Sequence, residues 1–261
     1  MITAIIQARM SSTRLPGKAL VDICGKSMLL RVIERVRASR TIEQVVVATT
    51  ESESDDDIVR KCHECRVNIF RGSEQDVLNR YFKAAQKFNA TVIVRITSDC
   101  PLIDPDEIDK VVDFYLNNRS IFNLVSNAIE PSFPDGLDVS TFSFEALQQA
   151  EILARLPSER EHVTPWIIKH MRAKNILCEQ DLSTHRWTVD QSEDLEFVRY
   201  VYQIAINEGM YLPKLKDVLD IIKSRPEMKS INSSITRDEG YKNSLEKDKI
   251  FLSAIDNGAK R

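Results

Sequence analysis

Neither common glycine-rich phosphate cradle is present. The chain has no G-x-x-x-x-G-K-[ST] and no G-x-G-x-x-G, which excludes a Walker A loop and a dinucleotide fingerprint. No apolar run reaches the ~18 residues a membrane helix needs, so no membrane partner is expected. The first apolar run, AII, is cut at once by Gln7 and Arg9, which does not fit a signal peptide. Cysteine is scarce and odd in number, five in 261 residues, which argues against a disulfide framework and for a reducing, cytoplasmic setting. Cys62 and Cys65 form a lone CHEC without a second ligand pair, and read as one end of an amphipathic helix. Charge of one sign is lacking too. A net charge of -3 offers no general polyanion surface, so nucleic acid is not expected, although a local basic cluster can still hold a small phosphate ligand.

What is present is alternation. TAIIQA, EQVVVATT, VNIF and TVIVRIT read as strands. Between and after them stand helical patterns at 27–39, with Ser27 as N-cap, and in SDDDIVRKCHE, SEQDVLNRYFKAAQKF and DPDEIDKVVDFYLNN. The third opens on a capping-box pattern at Ser73–Asp76, and the fourth carries Pro105 in its first turn. Asp55, Asp56 and Asp57 read as a solvated helix start rather than a metal cluster. Crossover helices between strands imply an α/β fold, a mostly parallel sheet with helices on both faces in a three-layer, Rossmann-like sandwich. Further on, PSFPDGLDVSTFS is irregular, SFEALQQAEILA is helical, SEREHVTPWIIKHM begins a helix or arm, HRWTVD reads as a strand, and SEDLEFVRYVYQIAI as a helix. The expected division is a domain over 1–224 and a polar, weakly packed C-terminal extension over 225–261 with one helix.

Parallel sheets bind ligands beyond the carboxyl ends of their strands. Directly after the first strand, QARMSSTRLPGK packs Arg9, Arg14 and Lys18 into ten residues, with Ser11, Ser12 and Thr13 between them. Fixed cations and hydroxyl donors suit a triphosphate, and Pro16-Gly17 would turn Lys18 back toward it. The alternative is a basic surface loop. Asp99 stands just past the TVIVRIT strand, and Asp190 ends HRWTVD. Two carboxylates on separate strand ends suit one magnesium ion shared with phosphate oxygens. Each could instead cap its neighbouring helix, with Ser192 competing for the second cap.

These blocks carry a family resemblance. IIQARMSSTRLPGKAL resembles the signature of the cytidylyltransferases that make CMP-activated acidic sugars, the CMP-ketodeoxyoctonate and CMP-acylneuraminate synthetases. RGSEQDVLNRY, RITSDCPLIDP, DGLDVSTF, EREHVTPWI and RWTVDQSEDLE follow in the order seen in spore coat polysaccharide biosynthesis protein F-like members. The resemblance spans about residues 1 to 210, and RDEGYKNSL is similar to the end of that subfamily.

The resemblance implies that Arg9, Ser12, Arg14 and Lys18 bind the triphosphate of CTP, with Ser11 beside them. It implies that Asp99 and Asp190 hold magnesium, and that Arg71 and Arg80 lie where relatives recognise nucleotide or acceptor. DGLDVSTF and EREHVTPW differ from the sugar-acid synthetases, which makes Asp135, Asp138, Glu161 and His162 the acceptor-side candidates. Arg71, Arg80, Arg160 and His162, lying away from the first loop, suggest an anionic acceptor. Relatives pair through an arm in the middle of the chain. Phe133, Phe142 and Trp166 in the irregular 132–171 stretch, taken as exposed, suggest a homodimer. The expected reaction is attack of an acceptor oxygen on the α-phosphate of CTP, with Asp99, Asp190, Lys18 and Arg9 as catalytic residues. A glycosyltransferase on a similar fold and a non-catalytic nucleotide-binding regulator are the rival classes. The first commonly uses D-x-D, where this chain has Ser98-Asp99-Cys100.

Overall fold

A computed structural model describes residues 1–258. Its strands are β1 (Ile2–Gln7), β2 (Asp22–Ile23), β3 (Lys26–Ser27), β4 (Gln44–Thr50), β5 (Asn68–Gly72), β6 (Val92–Thr97), β7 (Leu124–Ser126), β8 (Ser140–Ser143) and β9 (Ala173–Asn175). Its α-helices are α1 (Met28–Arg37), α2 (Asp56–Glu64), α3 (Val77–Lys87), α4 (Pro105–Asn118), α5 (Phe144–Leu153), α6 (Pro157–His162), α7 (Pro165–His170), α8 (Ser192–Asn207), α9 (Leu215–Ser224) and α10 (Glu239–Gly258). Seven strands form one sheet in the order β5-β4-β1-β6-β8-β7-β9, and β2 and β3 make a small hairpin. β5, β4, β1 and β6 are parallel, whereas β8 runs antiparallel to both β6 and β7.

Side-chain alternation along β1 builds the layers. Ala4 and Ile6 face one core with Leu29 and Val32 of α1, Ile58 of α2 and Ile108 of α4. Ile5 faces the other, with Leu78 and Tyr81 of α3, Leu147 of α5 and Ile167 of α7. This is the three-layer α/β architecture that the strand–helix alternation implies. The chain leaves β1 toward β4 and β5, then returns to place β6 on β1's other side. The sheet therefore changes direction between β1 and β6, where open α/β sheets form their binding crevice.

Local chemistry accounts for the helix starts. Ser27 accepts a hydrogen bond from the Leu30 N–H, and Asp104 caps α4, which has Pro105 in its first turn. α3 begins later than the Ser73 pattern suggests: Asp76 is its cap and accepts from the Asn79 N–H, while Ser73 accepts from Asp76.

Four expectations need correction. HRWTVD is not a strand. The place beside β6 is taken by antiparallel β8, and this segment crosses the strand ends through one bridge, Asp135 to Arg186, and a Val189 N–H bond to the Asp99 carbonyl. Phe133, Phe142 and Trp166 are not exposed. Each packs in the chain's own core, so they offer no dimer surface. Asp55 is not solvated: it is fully buried. The segment after Arg225 is mostly exposed, but specific polar bonds tie it to the rest of the chain. Asp248 of α10 accepts from the Ser158 N–H and hydroxyl at 2.8 and 2.6 Å, and Asn232 donates to Asp194 at 2.9 Å. α9 lies in a stretch where no element is expected, and it packs Val218, Ile221 and Ile222 against Trp187 and α8.

Candidate functional site

The loop after β1 folds back on itself. Gly17 donates to the Met10 carbonyl at φ 73°, a left-handed conformation that favours glycine, and Lys18 follows at the start of a short 3-10 turn. The loop is tied down by Asp55. This carboxylate accepts from Met10 N–H at 2.8 Å, Thr49 Oγ1 at 2.9 Å, Thr50 N–H at 3.0 Å and Thr50 Oγ1 at 2.6 Å. Burial opposes its charge, but these donors outweigh burial and hold it below the usual carboxylate range. Asp55→Ala should orphan several donors at once and cost about 2–4 kcal/mol of stability. It should also raise the KM for nucleotide, because Met10 would lose its anchor. Urea midpoints and nucleotide titrations check this, and an unchanged KM would detach Asp55 from the loop's function.

Asp99, past β6, and Asp190, before α8, meet on one point. The Lys18 ammonium lies 3.0 Å from Asp99 and 2.8 Å from Asp190, and donates to the Val189 carbonyl at 2.9 Å. Burial would lower the Lys18 pKa, but the two aspartates outweigh it and raise it, so the ammonium stays charged. Burial alone would raise Asp99, yet Lys18 and Thr97 pull it down to about 2. Arg14 joins from the loop, 2.9 Å from Asp190 and 2.6 Å from Glu239 at the start of α10. Arg9 is the outermost cation, 3.8 Å from Glu74, which also accepts from Ser11; Ser12 accepts from the Leu15 N–H within the loop.

Arg186, which the sequence reading passes over, organises the acidic side. It donates to Asp135 at 2.8 Å, Asp190 at 3.1 Å, and Asp194 at 2.9 and 3.0 Å. Asp194 also accepts from the N–H groups of Asp190 and Gln191 and so fixes the start of α8; neither Asp190 nor Ser192 is that helix's cap. Burial and the neighbouring Asp138 push Asp135 up to about 7 despite Arg237 and Arg186. Asp138 is 3.1 Å from Arg237, a residue of the C-terminal segment.

The other predicted residues have local partners. Glu161 accepts from Ser244 and Lys247 of α10 at 2.7 and 3.2 Å. His162 bonds Ser244 at 3.0 Å, packs edge-on to Tyr241, and is lowered to about 4, by burial first and then by Arg95. Arg71 donates to Asp56 at 2.6 Å and to the Thr50 and Ser52 carbonyls at 2.9 and 2.7 Å, so its donors brace the turn after β4. Arg160 ties Asp76 to Glu151, joining α3, α5 and α6. Arg80 differs. It is 1% exposed, donates to the Ser73 carbonyl, has no carboxylate within ion-pair distance among the described residues, and leaves Nε without a partner. Cys62 is buried in the core of α2, which pushes its thiol up to about 12.

Asp99 and Asp190 suit a hard divalent cation. Two carboxylates already converge on a positive centre, and magnesium commonly takes one or two carboxylates and fills its shell with water and phosphate oxygens. No helix among the described residues is long and apolar enough to cross a membrane.

Comparison with known proteins gives the family. An uncharacterized protein of Methanocaldococcus jannaschii is 33% identical over 253 residues, covering 92% of this chain and 98% of its own. The spore coat polysaccharide biosynthesis protein SpsF of Bacillus subtilis is 32% identical over 214 residues, covering 78% and 87%. The solved structure of a cytidylyltransferase from Leptospira borgpetersenii superposes with a TM-score of 0.82 at 34% identity, over 87% of this chain and 95% of that one. The cytidylyltransferase family model matches residues 3–208, which takes in the first loop and both aspartates. The chain therefore belongs to the cytidylyltransferases, and it is a nucleotidyltransferase enzyme.

Proposed function

We propose that the enzyme transfers CMP from CTP to a small sugar or sugar-like acceptor bearing an anionic group, and releases pyrophosphate. The observation that carries this reading is the convergence of Lys18, Asp99 and Asp190, with Arg14 on the same aspartate. An acceptor oxygen attacks the α-phosphorus as the bond to the β-phosphate oxygen breaks. The chain contributes position and charge rather than covalent chemistry. Lys18, Arg14 and Arg9 stabilise the departing pyrophosphate. Asp55 holds the loop that carries them, and Arg186 and Asp194 hold Asp190. Asp99 and Asp190 would hold magnesium, which supplies neutralisation of phosphate charge when bound.

The acceptor enters from the side of Asp135, Asp138 and the C-terminal segment. The name of the Bacillus subtilis relative supports a place in surface polysaccharide synthesis. A cytoplasmic reaction belongs to the same reading through the scarcity of cysteine. A homodimer is part of the reading through family resemblance alone, since the aromatics that suggested it are buried.

A pyrophosphate-release assay with each nucleoside triphosphate and a panel of sugar acids and sugar phosphates tests the reading. CTP should give release with at least one acceptor. Release with another triphosphate and none with CTP would overturn the choice of base.

A further inference from the structure

We propose that Arg95 receives the anionic group of the acceptor, on the face of the sheet toward the C-terminal segment. The proposal rests on the acceptor reading above and names the residue that gives it chemistry.

On the α3 and α5 side of the sheet, Ile93 of β6 and Phe142 of β8 make an apolar pair. One step toward the carboxyl end of β6, the β6–β8 pair on this face is polar. Register pairs Ile93 with Phe142 and Arg95 with Ser140, so Arg95 and Ser140 share this face. Arg95 stands opposite Ile5 on β1, but its Nη2 donates to Gln7 Oε1 at 3.4 Å, two residues further along. The guanidinium therefore leans toward the carboxyl end of the sheet. Asp99 lies four residues on, in the turn just past the end of β6.

Arg95 is poorly satisfied. The long contact to Gln7 is its one hydrogen bond among the described residues, no carboxylate there lies within ion-pair distance, and its Nε is buried without a partner. A half-buried guanidinium kept this way is costly, and an apolar side chain on a core strand would be cheaper. The neighbouring cations are already engaged. Lys18 and Arg14 meet Asp190, Arg186 meets Asp135 and Asp194, and Arg160 meets Asp76 and Glu151. Arg95 and Arg80 remain. Arg80 donates to the Ser73 carbonyl before α3, whereas the charge of Arg95 acts on Asp138 and His162.

The C-terminal segment closes this side. Arg237 donates to the Phe133 carbonyl at 3.0 Å and to Asp138 at 3.1 Å, and its Nε, 3.9 Å from Asp238, makes no hydrogen bond among the described residues. Asp238 takes a φ of 62°, which lets the chain place Arg237 inward and Glu239 on Arg14 within three residues. The ligand class is a compact oxyanion, carboxylate or phosphate, on a small polyhydroxyl molecule. Asp138 Oδ2, which makes no hydrogen bond among the described residues, is left for its hydroxyl groups.

Arg95→Met and Arg95→Lys test this, with inorganic phosphate and pyruvate as probes at fixed ionic strength. Magnesium and CTP are present so that the first-loop cations are occupied. Wild type should bind at least one probe, and which one it binds separates phosphate from carboxylate. Arg95→Met should weaken that binding by about tenfold or more, with Arg95→Lys in between. Without ligand, the thermal midpoint of Arg95→Met should equal or exceed wild type, because a costly buried charge is gone. The midpoint shift produced by CTP should be unchanged. Wild-type-like probe binding by Arg95→Met, or binding of neither probe by wild type, would overturn the proposal. A lowered midpoint with unchanged probe binding would make Arg95 structural. If CTP itself shifts no midpoint in wild type, the nucleotide reading fails, and the probe titrations on the protein alone still decide Arg95.

Discussion

Asp99→Asn should reduce turnover by about a hundredfold or more, a loss of ~2.7 kcal/mol in transition-state stabilisation. Asp190→Asn should do the same. Each change removes one of two negative charges that converge on a single point, the Lys18 ammonium of the first loop. The fold should survive. In Asp99→Asn, Lys18 keeps Asp190 and the Val189 carbonyl; in Asp190→Asn, it keeps Asp99 and that same carbonyl. Asp190→Asn also leaves Arg186 its bonds to Asp135 and Asp194. The check is kcat at saturating magnesium and CTP, with near-ultraviolet circular dichroism to confirm packing. If both variants keep wild-type turnover, the metal assignment is wrong.

Lys18→Ala has the second large effect. Its kcat should fall by about a hundredfold, while CMP affinity changes little, because CMP lacks the β- and γ-phosphates that Lys18 is proposed to meet. A second signature follows from the geometry. Without the ammonium, Asp99 and Asp190 face one another across the point it occupied, with Arg14 left on Asp190 alone. Like charges so placed repel, so the ligand-free protein should be less stable, and magnesium should restore more stability than it adds to wild type. Thermal midpoints with and without magnesium, beside CMP and CTP titrations, separate the roles. Equal loss of CMP and CTP affinity would move Lys18 to the α-phosphate or to a structural role.

The site's centre is legible in the sequence because strand ends of a parallel sheet come together without long-range information. QARMSSTRLPGK follows β1 and Asp99 follows β6, and β1 and β6 are neighbours. Asp190 arrives at the same place for a different reason. Its segment is no strand; Thr188 and Val189 are bonded to the Asp99 carbonyl. Asp55 shows what periodicity hides. An acidic helix start is ordinarily solvated, and its burial depends on donors from Met10, Thr49 and Thr50 that only the folded sheet assembles. Arg186 is hidden likewise, since its four carboxylate contacts come from three aspartates spread over 135–194. The C-terminal segment reads as a loose tail because its composition is polar, but its polar groups have fixed partners. Asn232, Arg237, Ser244 and Asp248 reach Asp194, Asp138, His162 and Ser158.

Central to this account is that CMP leaves CTP and becomes attached to a small acceptor. The most direct measurement incubates the enzyme and magnesium with CTP labelled at the α-phosphorus and the small-molecule fraction of a cell extract, then identifies the labelled product by mass spectrometry. The account predicts one new species with the label, a mass equal to acceptor plus CMP less water, and pyrophosphate in equal amount. An extract in which CTP stays intact while a nucleotide sugar is consumed would contradict it.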